Sequence, residues 1–420
     1  MAARIRFHQV GRDMPGFYIL GGILVAVLLL GLLGAGYMAT VGHHVSGMNN
    51  TIVWGTPHVF AILLILAASG ALNTASVGSV FGRVDHKPLA RLSGVLAIAL
   101  LAGGLSVLLL DLGRPDRLMV AMTNYNLRSI FAWNIILYSG FFTVVAVYLW
   151  VLMSPRLAAW SRTAGTAAFA WRLILTTGTG SIFGFLLARE IYGSAVLAPL
   201  FIAASLAYGS AAFSLVLLTL LRSQGRRAPE GLLRGMAGMQ GVFAVALLAL
   251  LAMHFLTLTY MPGRQGAVSF MLLSGGVYPL MLWLSVLLGG VLPAAMLLYP
   301  HGADRARTLA VASLLILFGG GALLYALIIG GQVYPLNLFP GYTVVGAAES
   351  QLVPYAPTWP ELVLGFGGVA LATLIVMAGL WLLPLTPRRL PDEPTVEPAS
   401  AALSTEAAVD DDGQTAPAAV

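Results

Sequence analysis

Cysteine is absent from all 420 residues. That excludes thiolate-held iron–sulfur clusters, CxxCH haem attachment and disulfides within this protein. A redox centre here would be a bound organic cofactor, a His-ligated metal or haem, or the property of a partner. Charge is almost as scarce. Asp, Glu, Lys and Arg make up 9% of the residues, against 59% hydrophobic ones. At a mean hydropathy of +0.89, the sequence holds more apolar surface than a soluble domain can bury. It therefore reads as a polytopic membrane protein whose first partner is the lipid bilayer. A cleavable leader is not expected. "MAARIRFHQVGRDMPG" is basic, but the apolar run behind it is long enough to span and shows no cleavage site. The net charge of +6 does not point to nucleic acid, because the basic residues sit between apolar segments.

Ten segments are long enough to cross a hydrocarbon layer of about 30 Å. They lie near 17–41, 52–77, 90–110, 129–152, 171–190, 195–221, 235–260, 268–299, 308–330 and 361–384. Their apolar runs are continuous rather than alternating, so the expected class is all-α, with about ten transmembrane helices. A short N-terminus (1–16), a membrane domain (17–386) and a tail (387–420) follow from this. The tail holds seven of the sixteen acidic residues and no basic one beyond Arg389, and is expected to be disordered. The link at 331–360 has aromatics and prolines but few charges, and is expected to pack over the surface as a lid or docking surface.

The basic residues alternate between links. Arg4, Arg6 and Arg12 precede the first span. Arg83, Lys87 and Arg91 fall in the second link, and Arg156, Arg162 and Arg172 in the fourth. Arg222, Arg226, Arg227 and Arg234 fall in the sixth, and Arg305 and Arg307 in the eighth. This places both termini in the cytoplasm and the protein in the inner membrane. The third link breaks the rule: Arg114, Arg117 and Arg128 lie outside. Positive charge there has either a local job or a helix-capping role.

Ionisable groups cluster at the outer ends of spans. His58 is expected about two turns into the second span, and Asp111 closes the third. Arg189 and Glu190 close the fifth, and His254 lies in the outer third of the seventh. His43 and His44 sit in the first outer link and read as solvated. Each of the others also has a plain structural reading, as a core histidine or an interfacial ion pair. Such groups are costly in lipid and usually face a cavity or one another. A quinone suits the set. Its carbonyls need hydrogen-bond donors, its tail needs apolar walls, and quinol oxidation needs a neutral histidine or a carboxylate. Trp133 is an aromatic wall for such a site, although an aromatic belt is expected at this depth anyway. No HxxxH or ExxH spacing marks a metal site, so none is expected. Three alternatives stay open: a haem b between His58 and His254, a secondary transporter, and a passive scaffold for redox partners.

The stretch "DLGRPDRLMVAMTNYNLRSIFAWN", from Asp111 to Asn134, ends one apolar run and opens the next. With "NNTIVWGTPHVFAILLILAASG" before it, it resembles the NrfD/PsrC family of membrane subunits of respiratory complexes. With "HHVSGMNN" added, the likeness is nearest the DsrP branch, linked to dissimilatory sulfur metabolism. The motifs cover roughly 43–134. The resemblance implies two four-helix bundles, about 52–190 and 195–330, with flanking helices. It implies exchange of electrons between menaquinone or ubiquinone and a ferredoxin-like iron–sulfur subunit on the outer face. A multihaem cytochrome and other membrane redox subunits are further implied partners. Asp111, Gly113, Arg114 and Pro115 match the family motif directly. His58 is assigned from its depth, and Glu190 and His254 from topology. Arg114, Arg117 and Arg128 would hold the link or receive the partner.

Overall fold

In hydrocarbon a backbone must bond to itself, and uninterrupted apolar runs do so as helices. The computed structural model describes residues 7–11, 14–82, 84–299, 304–336 and 352–391. Ten long helices follow in order. They are α1 Pro15–Val41, α2 Thr56–Ser79, α3 Ala90–Leu110, α4 Ile130–Met153 and α5 Ser161–Gly184. Then come α6 Leu197–Ser223, α7 Glu230–Tyr260, α8 Val277–Leu298, α9 Arg305–Val333 and α10 Trp359–Leu382. Among the described residues, nine helices are long and apolar enough to cross a membrane; α5 is the one of the ten that is not. The protein is an all-α, multi-pass integral membrane protein. Its strands, among the described residues, are one short antiparallel pair, Phe7–His8 with Thr386–Pro387. The expectations for Arg4, Arg6, Arg12, Arg83, the lid centre at 337–351 and the tail from 392 onward lie outside the described residues.

Three expected boundaries are corrected. The fifth helix runs over 161–184 instead of 171–190. Arg189 and Glu190 therefore lie in the link beyond it. Arg172 is not a link charge: it is buried in mid-helix. Its Nη1 donates to Asn73 Oδ1 at 2.6 Å and to the Ser69 carbonyl at 3.3 Å, and its guanidinium lies 4.8 Å from the Phe169 ring centre. Bonding to neutral oxygens and an aromatic face lets a cation sit among apolar helices. The expected span at 268–299 is interrupted. A short apolar helix, Gln265–Ser274, stops before Gly276, whose φ of +66° leaves helical space, and α8 then begins. A continuous helix of that length would outrun the hydrocarbon layer. His58 stands in the first turn of α2 rather than two turns in, because Gly55 ends the link and Thr56 opens the helix.

The helices pack in sequence. α2 contacts α3, α3 contacts α4, and α4 contacts α5. α6, α7, α8 and α9 form a second closed set. The two sets meet where α6 lies against α2 and α5, and α1 pairs with α10, which also covers α2 and α3. At the α2–α6 crossing, a Cβ on Gly70 would stand 3.0 Å from the Gly209 Cα. Only glycines allow that approach, and small residues are the usual adhesive between membrane helices.

All even-numbered helices begin, and all odd-numbered ones end, at one face, which we call the site face. Hydrogen bonds join its links: His43 to the Asp111 carbonyl, Arg189 to the Thr51 carbonyl, and Gly47 to Glu361. At the far face, Arg91 donates to the carbonyls of Leu152 and Pro384.

Candidate functional site

α2 starts and α3 ends side by side at the site face. His58, in the first turn of α2, and Asp111, the residue that closes α3, therefore meet. His58 Nδ1 lies 2.9 Å from Asp111 Oδ2; the carboxylate is fully buried, and the imidazole keeps 20% of its exposure. The approach is close but poorly aligned. Neither that nitrogen nor either carboxylate oxygen has a hydrogen bond of good geometry. The contact thus leaves buried polar capacity unused at this point. With Nδ1 turned to Asp111, the exposed part of the ring leaves Nε2 open. His43 adds a second imidazole, its Nε2 3.0 Å from the Asp111 carbonyl oxygen.

Trp54 forms the wall beside this pair. Its ring centre lies 6.2 Å from that of His58, 6.2 Å from Phe131 and 5.3 Å from Phe183. Trp54 is held through its backbone by one side chain. Gln332 Oε1 accepts from the N–H groups of Val53 (3.0 Å) and Trp54 (3.1 Å), and Gln332 Nε2 donates to the Trp54 carbonyl (2.9 Å). Gln332 reaches this position after a π-helical stretch, Tyr325–Gly330, which shifts the register of α9 near its end. Arg189 ties the same parts together, donating to the carbonyls of Gln332 and Thr51, both at 2.7 Å.

Glu190 and His254 are placed apart from the His58–Asp111 pair, around the α5–α6 link. Arg264 Nη1 donates to the carbonyls of Tyr192 (2.7 Å) and Glu190 (3.2 Å). Burial raises the Glu190 carboxyl above the ordinary carboxylate range, and the Arg264 guanidinium pulls it back down. His254 is fully buried beside the Ile191 carbonyl, and neither of its ring nitrogens has a well-formed hydrogen bond. Phe183 and Tyr192, with ring centres 5.4 Å apart, lie between this cluster and Trp54.

Trp133 is not brought to His58. Its indole N–H donates to the Leu127 carbonyl at 2.9 Å, and the residue is 45% exposed. Trp54 occupies the position expected for Trp133.

The link after Asp111 is exposed almost throughout. Gly113 and Pro115 turn the backbone away from α3, and a short helix follows at Leu118–Thr123. Arg114 is engaged within the link, with Nε 3.2 Å from Asp116 Oδ1. That hydrogen bond holds the Asp116 carboxyl below its usual range. Arg117 and Arg128 stand on the same surface with exposed Met119, Val120, Tyr125 and Leu127.

Sequence reasoning read His43 as solvated and Trp54 as part of an interfacial aromatic belt, and it passed over Arg264, Gln332, Tyr355 and Glu361. One signal was available for the last: Thr358 and Glu361 have capping-box spacing and form that box at the start of α10. The others are uncharged or link residues whose role depends on distant partners.

The family model described as Polysulphide reductase, NrfD matches residues 44–336. The protein is 30% identical over 399 residues to the Hdr-like menaquinol oxidoreductase integral membrane subunit of Archaeoglobus fulgidus, covering 93% of this sequence and 98% of that one. It is 27% identical over 410 residues to the putative dimethyl sulfoxide reductase membrane subunit of Halobacterium salinarum, covering 88% and 92%. The C component of the polysulfide reductase of Wolinella succinogenes is 24% identical over 307 residues, covering 68% of this sequence and 96% of that one.

Proposed function

Because this chain belongs to the NrfD polysulphide reductase family, we propose that it is the quinol-interacting membrane subunit of a redox complex. The observation that carries the reading is the buried carboxylate of Asp111 against a partly open His58, under the Trp54 wall. Quinol oxidation delivers two electrons and two protons. In this reading His58 Nε2 accepts the first hydroxyl proton, and the Asp111 carboxylate balances the imidazolium that forms; His58 passes that proton to water at the site face and then takes the second. Trp54 and Phe131 offer the head an apolar face. Electrons leave to a partner, for which a ferredoxin-like iron–sulfur subunit on the site face is the reading we favour. Menaquinone is the favoured quinone, since the Archaeoglobus relative is named for menaquinol. Dissimilatory sulfur metabolism is the favoured setting. The two closed helix sets, α2–α5 and α6–α9, are read as the two bundles, with α1 and α10 flanking.

The test is extraction of quinone from the purified protein, together with quinol-driven reduction of the co-purified partner. Absence of both would remove the reading. We place the site face outside the cytoplasm, in the inner membrane. Reporter fusions at residue 45 should then read as outside and at residue 160 as inside, and the reverse pattern would overturn the orientation.

A further inference from the structure

The family model ends at residue 336, before Tyr355 and α10. The start of α2 nevertheless hangs from that later segment. We propose that Tyr355 and Glu361 are positioning residues of the His58–Asp111 site, so that α10 is part of the site's frame and more than a flanking helix. The kinetic part of this proposal rests on the quinol reading above; its structural part does not.

Glu361 is fully buried, and both of its oxygens are used. Oε2 accepts from the Thr358 N–H (2.8 Å), the Thr358 hydroxyl (3.0 Å) and the Gly47 N–H (3.1 Å). Oε1 accepts from the Tyr355 hydroxyl at 2.7 Å. A capping box accounts for the Thr358 contacts alone. The other two bonds leave the helix. Because Tyr355 donates its proton to Glu361, its oxygen faces Thr56 as an acceptor. The Thr56 N–H donates to it at 2.7 Å, and the Thr56 hydroxyl lies 2.9 Å away. Thr56 opens α2, where N–H groups have no partner within the helix. A phenol oxygen aimed by a carboxylate supplies one. His58 follows in the same turn.

The Gly47 bond acts on the other side of the pair. Gly47 belongs to the link that carries His43, whose ring meets the Asp111 carbonyl. One carboxylate thus restrains both segments that reach the site. The approach is close enough to need glycine. A Cβ on Gly47 would stand 2.8 Å from Tyr355 Cε2, and one on Gly55 would stand 2.8 Å from the Tyr355 hydroxyl.

The test uses the full-length protein with Tyr355→Phe and Glu361→Gln. Tyr355→Phe keeps the ring and its packing against Tyr325. Gln9→Ala is the control, since it removes a bond to the Leu382 carbonyl at the opposite end of α10. The first readout is the ¹⁵N imidazole signal of His58, assigned by its loss in His58→Gln. It should move in both test variants and stay in place in the control. The second is quinol oxidation. The kcat should fall about tenfold, with KM changed much less, as expected when a reacting group is misplaced but the ligand still binds. In the His58→Gln background, Tyr355→Phe should cause no further loss. A His58 signal unmoved in Tyr355→Phe, or moved equally by Gln9→Ala, overturns the proposal. If the signal moves but the parent protein shows no quinol chemistry, the quinol reading fails and the positioning role stands.

Discussion

His58 Nδ1 and Asp111 Oδ2 stand 2.9 Å apart, although they belong to different helices and to separate stretches of the sequence. Among the described residues, no other side chain stands at ion-pair distance from this carboxylate. Removing the histidine leaves a buried carboxylate without its neighbour, and removing the carboxylate leaves nothing to balance an imidazolium formed at His58.

His58→Ala should slow quinol-dependent reduction of the partner by about tenfold or more, the lower end of a lost acid–base contribution. Asp111→Asn should lower the rate and change its pH dependence. Both should still insert, because the helices are unaltered. Full activity in His58→Ala, with normal quinone affinity, would make His58 a core histidine and turn attention to Glu190 and His254.

Gln332→Leu should loosen Trp54. The variant leaves the N–H groups of Val53 and Trp54 without their acceptor. Both bonds are only partly buried, so each one lost costs on the order of 0.5–1.5 kcal/mol. The expected result is a lower Tm in detergent and weaker quenching of tryptophan fluorescence by added quinone. An unchanged Tm would show that the link is held elsewhere.

Docking of a redox partner should depend on Arg117 and Arg128 more than on Arg114, whose guanidinium is engaged by Asp116. Replacing Arg117 and Arg128 with Gln should weaken co-purification of a redox partner subunit, and salt should weaken it in the parent protein. Arg114→Gln should have the smaller effect. Equal loss from all three would favour a general role in shaping the link.

Glu190 gives a pH test. Burial, the larger influence, raises its folded-state affinity for a proton above that of the unfolded state. Its contribution to stability is then full below the ordinary carboxylate range and is lost as pH rises through the raised value. Thermal unfolding of the parent should show that decline, and Glu190→Gln should flatten it. An identical pH profile in the variant would assign the slope to other groups.

Much of the helix layout was legible because hydrocarbon permits so few backbone structures. Long apolar runs declared themselves, and their ends were misplaced mainly where polarity misled. Arg172 looked like a link charge because a cation is costly in lipid, and only its bonds to Asn73 and Ser69 explain its place in α5. The break before α8 was hidden because Gly275 and Gly276 sit inside an apolar run.

The site divides in the same way. The sequence alone determined a membrane protein without its own thiolate centre, and it singled out His58 and Asp111. Charge is so rare in such a protein that each charged residue within a span stands out. The depth of His58 and Asp111 in adjacent spans also put those two in one site, and the structure has them in contact. Only the tertiary structure decided which other groups join them. It kept Glu190 and His254 apart, put Trp54 where Trp133 was expected, and brought Gln332, Tyr355 and Glu361 to the start of α2. The reason is physical. Apolar periodicity records that a helix is buried, but hydrogen bonds between links depend on which helix ends gather at one face, and that is set by the packing of all ten.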